Sequence, residues 1–320
     1  MKKILLILTL FFYIQTTASA ENAKLQDVTI IVSSYDKYAN LWPTFFDLLF
    51  KNWPSLNTYN KDVPIILISN TKSYHDPRVT VVKSPYEKGW VGNVNDALKQ
   101  VKTKYILYLQ DDYFINDIVL EDKIHDILAA MEINKLDYCE MPHRLTRTLS
   151  KRSHDNNAHV RNNAFLVYKK SDVVWFSLQI SLWSTDLFRE LIAENSNVGS
   201  IWNFEHIQPK SYQKLAYYSR ELHPIPHINI MHRGNIDIRS YTWLYYKDYD
   251  LSFLSDYKIH TKYKILNIEG EWLKQNTPML ANTLFYIRGF FLDKERKIKR
   301  IIGKFQDEYN EKRYSEQNGQ

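Results

Sequence analysis

One cysteine in 320 residues excludes an internal disulfide, and with it the multi-cysteine clusters that usually hold zinc. That residue, Cys139, follows "LDY" in a predicted strand, which suits a buried structural thiol better than a nucleophile. Glycine and proline are sparse, with eight and ten, so low-complexity linkers are not expected. No basic stripe interleaved with aromatics marks a nucleic-acid footprint. An early Gly-rich, basic loop able to cradle a nucleoside triphosphate is missing too, which argues against a nucleotidyltransferase. There is no internal repeat. Past the N-terminal segment, no run is long and apolar enough to span a bilayer.

What is present supports a sizeable core. Hydrophobic residues make up 44% of the chain, enough for one large domain or two small ones, and the net charge of +6 is mild. Aromatics reach 14%, with 23 Tyr and 8 Trp. They suit stacking on sugars or bases, although Tyr, Asn, Lys and Ile are raised together, as biased nucleotide content in a genome produces. "MKKILLILTLFFYIQTTASAENA" has Lys2 and Lys3, an apolar stretch from Ile4 to Ile14, then Ala18-Ser19-Ala20. That is the grammar of a secretory signal peptide over residues 1–20, cleaved after Ala20. An uncleaved anchor is the alternative. Either predicts a chain in the secretory pathway or attached to a membrane, with attachment to a cytoplasmic face also open.

From there, strands and helices alternate. "DVTIIVSSYD" (27–36), "VPIILISN" (63–70), "RVTVVKSP" (78–85) and "KYILYLQDD" (104–112) read as buried strands. "NLWPTFFDLLFKNW" (40–53) and "GNVNDALKQVK" (92–102) read as helices between them. The pattern predicts an α/β fold with a mostly parallel sheet flanked by helices. Ligands of such sheets bind beyond the carboxyl ends of the strands, which places Ser33–Asp36 and Gln110–Asp112 on one rim. Further on, 119–133 is an amphipathic helix, 135–144 a strand and 149–163 an irregular polar loop. "FLVYKK" and "VWFSLQISLW" are strands, and Ser184 caps a helix "TDLFRELIAEN". "FFLDKERKIKRIIGKF" (290–305) has an apolar face and a basic one, fit either to pack on its own domain or to make peripheral contact with a membrane surface.

The apolar run "YILYLQDDYF" ends in two adjacent acids, which a buried strand has no cheap way to hold as unpaired charges. Gln110 and Asp112 share one face of the strand and Asp111 takes the other. Where the chain turns, both acids can approach one ligand. A carboxylate there suits Mg²⁺ or Mn²⁺ held between protein and a diphosphate, since such ions take one or two carboxylates and leave the rest to phosphate and water. A surface turn with solvated acids is the plain alternative.

"VTIIVSSYDKYANL" and "GWVGNVNDALKQVKTKYILYLQDDYF" together resemble the inverting GT-A glycosyltransferases, the large family 2-like group that uses nucleotide-sugar donors. The resemblance runs over roughly residues 27–115 and returns more faintly over 178–236. It implies a GT-A, Rossmann-like domain over 25–245 with a less regular acceptor half, followed by a helical extension over 246–320 ending in the basic amphipathic tail. It also implies a hexosyl- or hexosaminyltransferase using Mn²⁺ or Mg²⁺ and a UDP-sugar, with a glycan or glycolipid acceptor and no nucleic acid. On that likeness Ser33, Tyr35 and Asp36 contact the nucleoside, and Gly92 permits close backbone approach. Asn93 or Asn95 bonds the donor, Asp111 lies near ribose or sugar, and Asp112 holds the metal. Many such chains carry an acid two residues before the metal-binding aspartate; here that position is Gln110.

"SLQISLWSTDLFRELIAENSNVGSIWNFE" resembles the family's second segment, where an acid near a tryptophan acts as general base. Glu205, beside Trp202 and Phe204, is the expected base, with a pKa raised by partial burial. Asp186 is the rival, although the first turn of a helix already stabilises it there. In "HPIPHINIMHRGN" (223–235), His232 is a candidate metal ligand and Arg233 a candidate diphosphate contact. A histidine simply hydrogen-bonded in the fold remains open. The export signal and Gln110 also keep a second reading open, an exported, non-catalytic carbohydrate-binding protein on the same scaffold.

Overall fold

Ile65–Ser69 is buried at every position and Val28–Ser33 at all but its last, as expected of strands covered on both faces. The computed structural model describes residues 24–57, 62–141, 159–161, 165–168, 176–207, 210, 214–218, 223–232, 234–237 and scattered positions between 240 and 266. In it these runs form β1 (Val28–Ser33) and β2 (Ile65–Ser69), joined by β3 (Val79–Lys83) and β4 (Tyr105–Gln110). The four are parallel, in the order β3-β2-β1-β4. Helix α1 (Trp42–Asn52) falls where helical spacing predicted it, and α2 (Gly89–Leu98) overlaps the predicted 92–102 but starts three residues and ends four residues earlier.

The rest of the chain adds β5 (Tyr113–Ile115), α3 (Glu121–Asn134), β6 (Tyr138–Glu140), β7 (His159–Arg161), β8 (Phe165–Tyr168), β9 (Ser181–Ser184), α4 (Thr185–Glu194), α5 (Ile201–Phe204) and β10 (Leu215–Tyr218). The sheet extends to nine strands, continuing β4-β9-β6-β10-β8-β7. β9 runs antiparallel to both β4 and β6, so the parallel part of this α/β sheet is its first half and the remainder is mixed. Ser184 caps α4 by accepting from the Leu187 N–H at 3.2 Å, as expected. α2 presents Val91, Val94, Ala97 and Leu98, and α4 presents Leu187, Phe188, Leu191 and Ile192. Both sets join a core with Ile31, Ile66, Ile106 and Tyr108. Each of the larger apolar side chains among them contributes roughly 1.5–3 kcal/mol by leaving water.

Three expectations need correction. Of the strand read from "VWFSLQISLW", the described residues form only Ser181–Ser184; 176–180 is irregular, with Phe176, Leu178 and Ile180 buried and its backbone bonded mainly by side chains. Within the loop read over 149–163, His159–Arg161 pairs antiparallel with β8. A polar strand at the sheet's edge lacks the apolar alternation by which it could be read. The 135–144 strand is shorter than expected, and Cys139 within it is fully buried.

The chain divides into two compact units. The first comprises residues 1–39, 49–111 and 115–226, and contains the nine-stranded sheet. The second comprises 40–48, 112–114 and 227–320. It holds β11 (His227–Asn229) and a small sheet of β12 (Met231–His232), β13 (Asn235–Asp237), β14 (Ile259–His260) and β15 (Ile265–Leu266). There the Tyr113 ring stacks on His227 at 5.1 Å. The expected signal segment, most of the 149–163 loop and the basic tail lie outside the described residues. Among those that are described, no helix is long and apolar enough to cross a membrane.

Candidate active site

β1 and β4 pair with Ser33 opposite Gln110, so both chains leave the sheet at one edge. There the Asp111 N–H donates to the Ser33 carbonyl at 3.2 Å, and the Ser34 hydroxyl donates to Asp111 Oδ2. Asp111 is only 3% exposed. From α2, Trp90 Nε1 donates to Ser33 Oγ at 3.2 Å and to the Tyr108 hydroxyl at 3.1 Å. Tyr108 is fully buried, and burial holds its phenol well above the ordinary range against the lowering effect of those bonds. The carboxylates of Glu205 and Asp111 push it further the same way.

Glu205 follows the last turn of α5, and its Oε1 accepts from the Leu178 N–H at 2.7 Å. Burial raises its pKa, while the Leu178 bond and His206 act in the lowering direction. Gln110 Nε2 donates to the carbonyl of that same Leu178 at 2.8 Å. Trp202, on α5, is 71% exposed.

The other residues expected at the nucleoside end are held in a network of their own. The Asp36 carboxylate accepts from the Ser69 hydroxyl, the backbone N–H groups of Asn70, Thr71 and Lys72, and the Thr71 hydroxyl. Burial opposes its charge, yet the bonds from Thr71, Ser69 and Lys72 outweigh it and leave the pKa well below the usual range. Asn93 is buried; with its amide oriented to satisfy both ends, the nitrogen lies within hydrogen-bond reach of Ser84 Oγ at 2.9 Å and of the Pro85 and Gly89 carbonyls, and the oxygen accepts from Asn70. A Cβ at Gly92 would meet Lys88 Cβ at 2.6 Å, so this glycine admits the preceding turn against α2. Tyr35 packs edge-on against Tyr38, and Asn95 is exposed.

Sequence reasoning placed Ser34 on the rim without giving it a role, and missed Ser69, Asn70, Trp90 and Leu178. The strand-end rule extended to β2 would have found Ser69 and Asn70, since β2 runs parallel to β1. Nothing in the sequence points to Leu178.

Asp186 stands apart. It is exposed in the first turn of α4 and lines a cleft of about 420 Å³ with Lys104, Tyr105 and Glu132, at the start of β4. That is about 16 Å along the strand from Gln110, so the structure does not bring Asp186 together with Asp111 or Glu205.

In the second unit, the backbone carbonyl of Asp112 accepts from the Ile230 N–H at 2.8 Å. Its Oδ1 is buried with no partner among the described residues, and desolvation pushes the carboxyl up to about 7. A buried carboxylate oxygen without a donor fits a cation ligand. Among the described residues no cluster of three or more His, Cys, Asp or Glu is present. His232 lies in β12 opposite Asn235, and Arg233 falls outside the described residues.

Acids where the parallel strands of an α/β sheet end lie at the edge where such sheets take their ligands. Residues 29–171 match the model of glycosyl transferase family 2, the same group that the sequence motifs resemble. Beta-1,4 N-acetylgalactosaminyltransferase 2 of Mus musculus is 30% identical over 83 residues, which are 25% of this chain. The matched stretch spans only 16% of that relative's length. Among solved structures, S. aureus TarS (residues 1–349) is similar over 62% of this chain and 59% of its own, with a TM-score of 0.40 and 11% identity. The mannosyltransferase PcManGT from Pyrobaculum calidifontis, in complex with GDP-Man and Mn²⁺, is similar over 70% of this chain and 65% of its own, with a TM-score of 0.39 and 12% identity.

Proposed function

We propose that this chain transfers a hexosyl or hexosaminyl group from a nucleoside-diphosphate sugar, a UDP-sugar first among them, to an acceptor hydroxyl, with inversion. The observation that carries this is the pair of acids at the end of β4. Asp111 is nearly buried and bonded by Ser34, and the next residue, Asp112, has a buried carboxylate oxygen with no partner among the described residues. Asp112 would hold Mn²⁺ or Mg²⁺, with His232 as a second ligand and Arg233 on the diphosphate. When bound, the ion offsets the charge that develops on the departing diphosphate.

The protein groups have the following roles in this reading. Asp111 and Ser33 face ribose or sugar, and Tyr35 and Asn95 face the nucleoside half. Asp36 and Asn93 shape that wall by fixing its turns. Glu205 takes the proton of the acceptor hydroxyl as its oxygen bonds to the anomeric carbon, and the bond from that carbon to the diphosphate breaks on the opposite face. A raised pKa suits Glu205 to this task. Trp202 offers a flat apolar surface three residues before it, which suits a glycan or glycolipid acceptor. The N-terminal segment would direct the chain into a compartment that holds donor, or anchor it to a membrane.

A panel of donors with Mn²⁺, comparing the native chain with Asp112→Ala, tests the proposal by nucleotide release. Release that depends on metal and is abolished by the substitution supports it. Exposure of Trp202 and the amide at Gln110 favour a second reading, an exported carbohydrate-binding protein. That chain would bind sugar with no turnover, indifferent to Asp112.

A further inference from the structure

We propose that Gln110 is a positioning residue for Glu205, acting through the peptide groups of Leu178; the inference rests on the role of Glu205 given above. Residues 176–180 pass beside the end of β4 outside any strand, and apart from the Ile180 carbonyl, which accepts from the Met141 N–H, their bonded backbone groups are held by side chains. The Tyr138 hydroxyl bonds both the carbonyl and the N–H of Ser177 at 3.0 Å. Ser181 Oγ donates to the Gln179 carbonyl at 3.0 Å. Leu178 is fully buried, its carbonyl taken by Gln110 Nε2 and its N–H given to Glu205 Oε1.

Gln110 and Glu205 are therefore joined through one residue. With Oε1 engaged by Leu178, Glu205 Oε2 has no hydrogen-bond partner among the described residues and is the oxygen left to receive a proton. This accounts for an amide where resembling chains carry an acid. A carboxylate at 110 would set two acceptors against each other at the Leu178 carbonyl, whereas an amide donates. The side chain thus serves the base rather than the metal. The charged and titratable groups acting on Glu205 are His206, next in the chain, and the Tyr108 phenol.

The test replaces Gln110 by Met, which keeps length and removes the donor, with Gln110→Leu as the second variant should Met impair folding. Two quantities are read: the pH dependence of nucleotide release, and the titration of the Glu205 carboxyl by ¹³C NMR, assigned with Glu205→Gln. A loosened Leu178 bonds Glu205 less well. The carboxyl should then titrate about half a pH unit or more higher, with kcat down on the order of tenfold and donor KM unchanged. An unmoved Glu205 titration overturns the inference whatever the activity does. A native chain that turns over no donor removes the functional reading instead, and the NMR titration still decides whether Gln110 governs Glu205.

Discussion

The Ser34 hydroxyl donates to Asp111 Oδ2, tying the residue after β1 to the residue after β4. Parallel pairing makes this contact, because Ser33 lies opposite Gln110 and the next residue of each strand falls at the same edge. The bond orients a carboxylate with almost no exposure, so its loss should act on donor binding more than on the chemical step. Ser34→Ala is expected to raise donor KM about fivefold, in line with one hydrogen bond of ~1 kcal/mol, with kcat little changed. Steady-state kinetics over a donor series reads this directly. An unchanged KM would detach Asp111 from the donor.

Asp36 is a structural acceptor for the turn after β2. Several donors converge on it, and their loss in Asp36→Ala should cost about 2–4 kcal/mol, with a smaller loss in Asp36→Asn. The pH dependence follows from its depressed folded pKa. Such a group stabilises fully above the unfolded value near 4, and that stability fades as pH falls toward the folded value. Urea midpoints of native and Asp36→Asn should therefore differ most at pH 7 and converge as the solution is made acidic. Equal gaps at pH 7 and pH 3 would mean that the carboxylate charge does not hold this turn.

The parallel half of the sheet could be read from the chain because β1, β2 and β4 are nearly continuous apolar runs, a pattern that burial on both faces demands. Short strands could not. β6 keeps three residues of a longer apolar stretch, and β7 is polar, so pairing rather than composition defines them. The acids at 111 and 112 were legible for a physical reason, since an apolar strand ending in two carboxylates has to deliver them somewhere. Glu205 became a candidate only through resemblance. The Leu178 link was not legible at all, because it uses backbone groups, and every residue carries those. Asp36 shows the opposite limit: a polar residue at a strand end predicts a site wall, but not whether its hydrogen bonds turn toward ligand or toward protein.

Trp202 gives a prediction about the acceptor. An indole 71% exposed forfeits the free energy of burying a large apolar ring, unless a ligand covers it. Trp202→Ala should raise the KM for a saccharide acceptor about tenfold or more, while release of nucleotide to water in the absence of acceptor stays near native. Trp202→Phe, which keeps an aromatic face, should recover much of the loss. If alanine leaves the acceptor KM where it was, the ring does not carry the acceptor.

Asp112 makes a prediction about pH and metal in the same experiment. Burial raises its folded pKa to about 7, so without metal the folded chain binds a proton that the unfolded chain has released above pH 4. The sign is that of a raised acid: stability is intact below the unfolded value, declines as pH rises from about 4 to about 7, and is level above that. The side chain is only partly covered, which brings the expected decline to about 2 kcal/mol rather than the full shift. Asp112→Asn has no proton to lose, so in EDTA its stability relative to native should increase across that interval and be greatest near pH 8. Mn²⁺ at a hundredfold excess over its dissociation constant should return about 2.7 kcal/mol to the native chain at pH 8 and nothing to Asp112→Asn. Parallel pH profiles for the two proteins in EDTA, or equal stabilisation of both by Mn²⁺, would show that the Asp112 carboxylate neither bears the buried charge nor binds the ion.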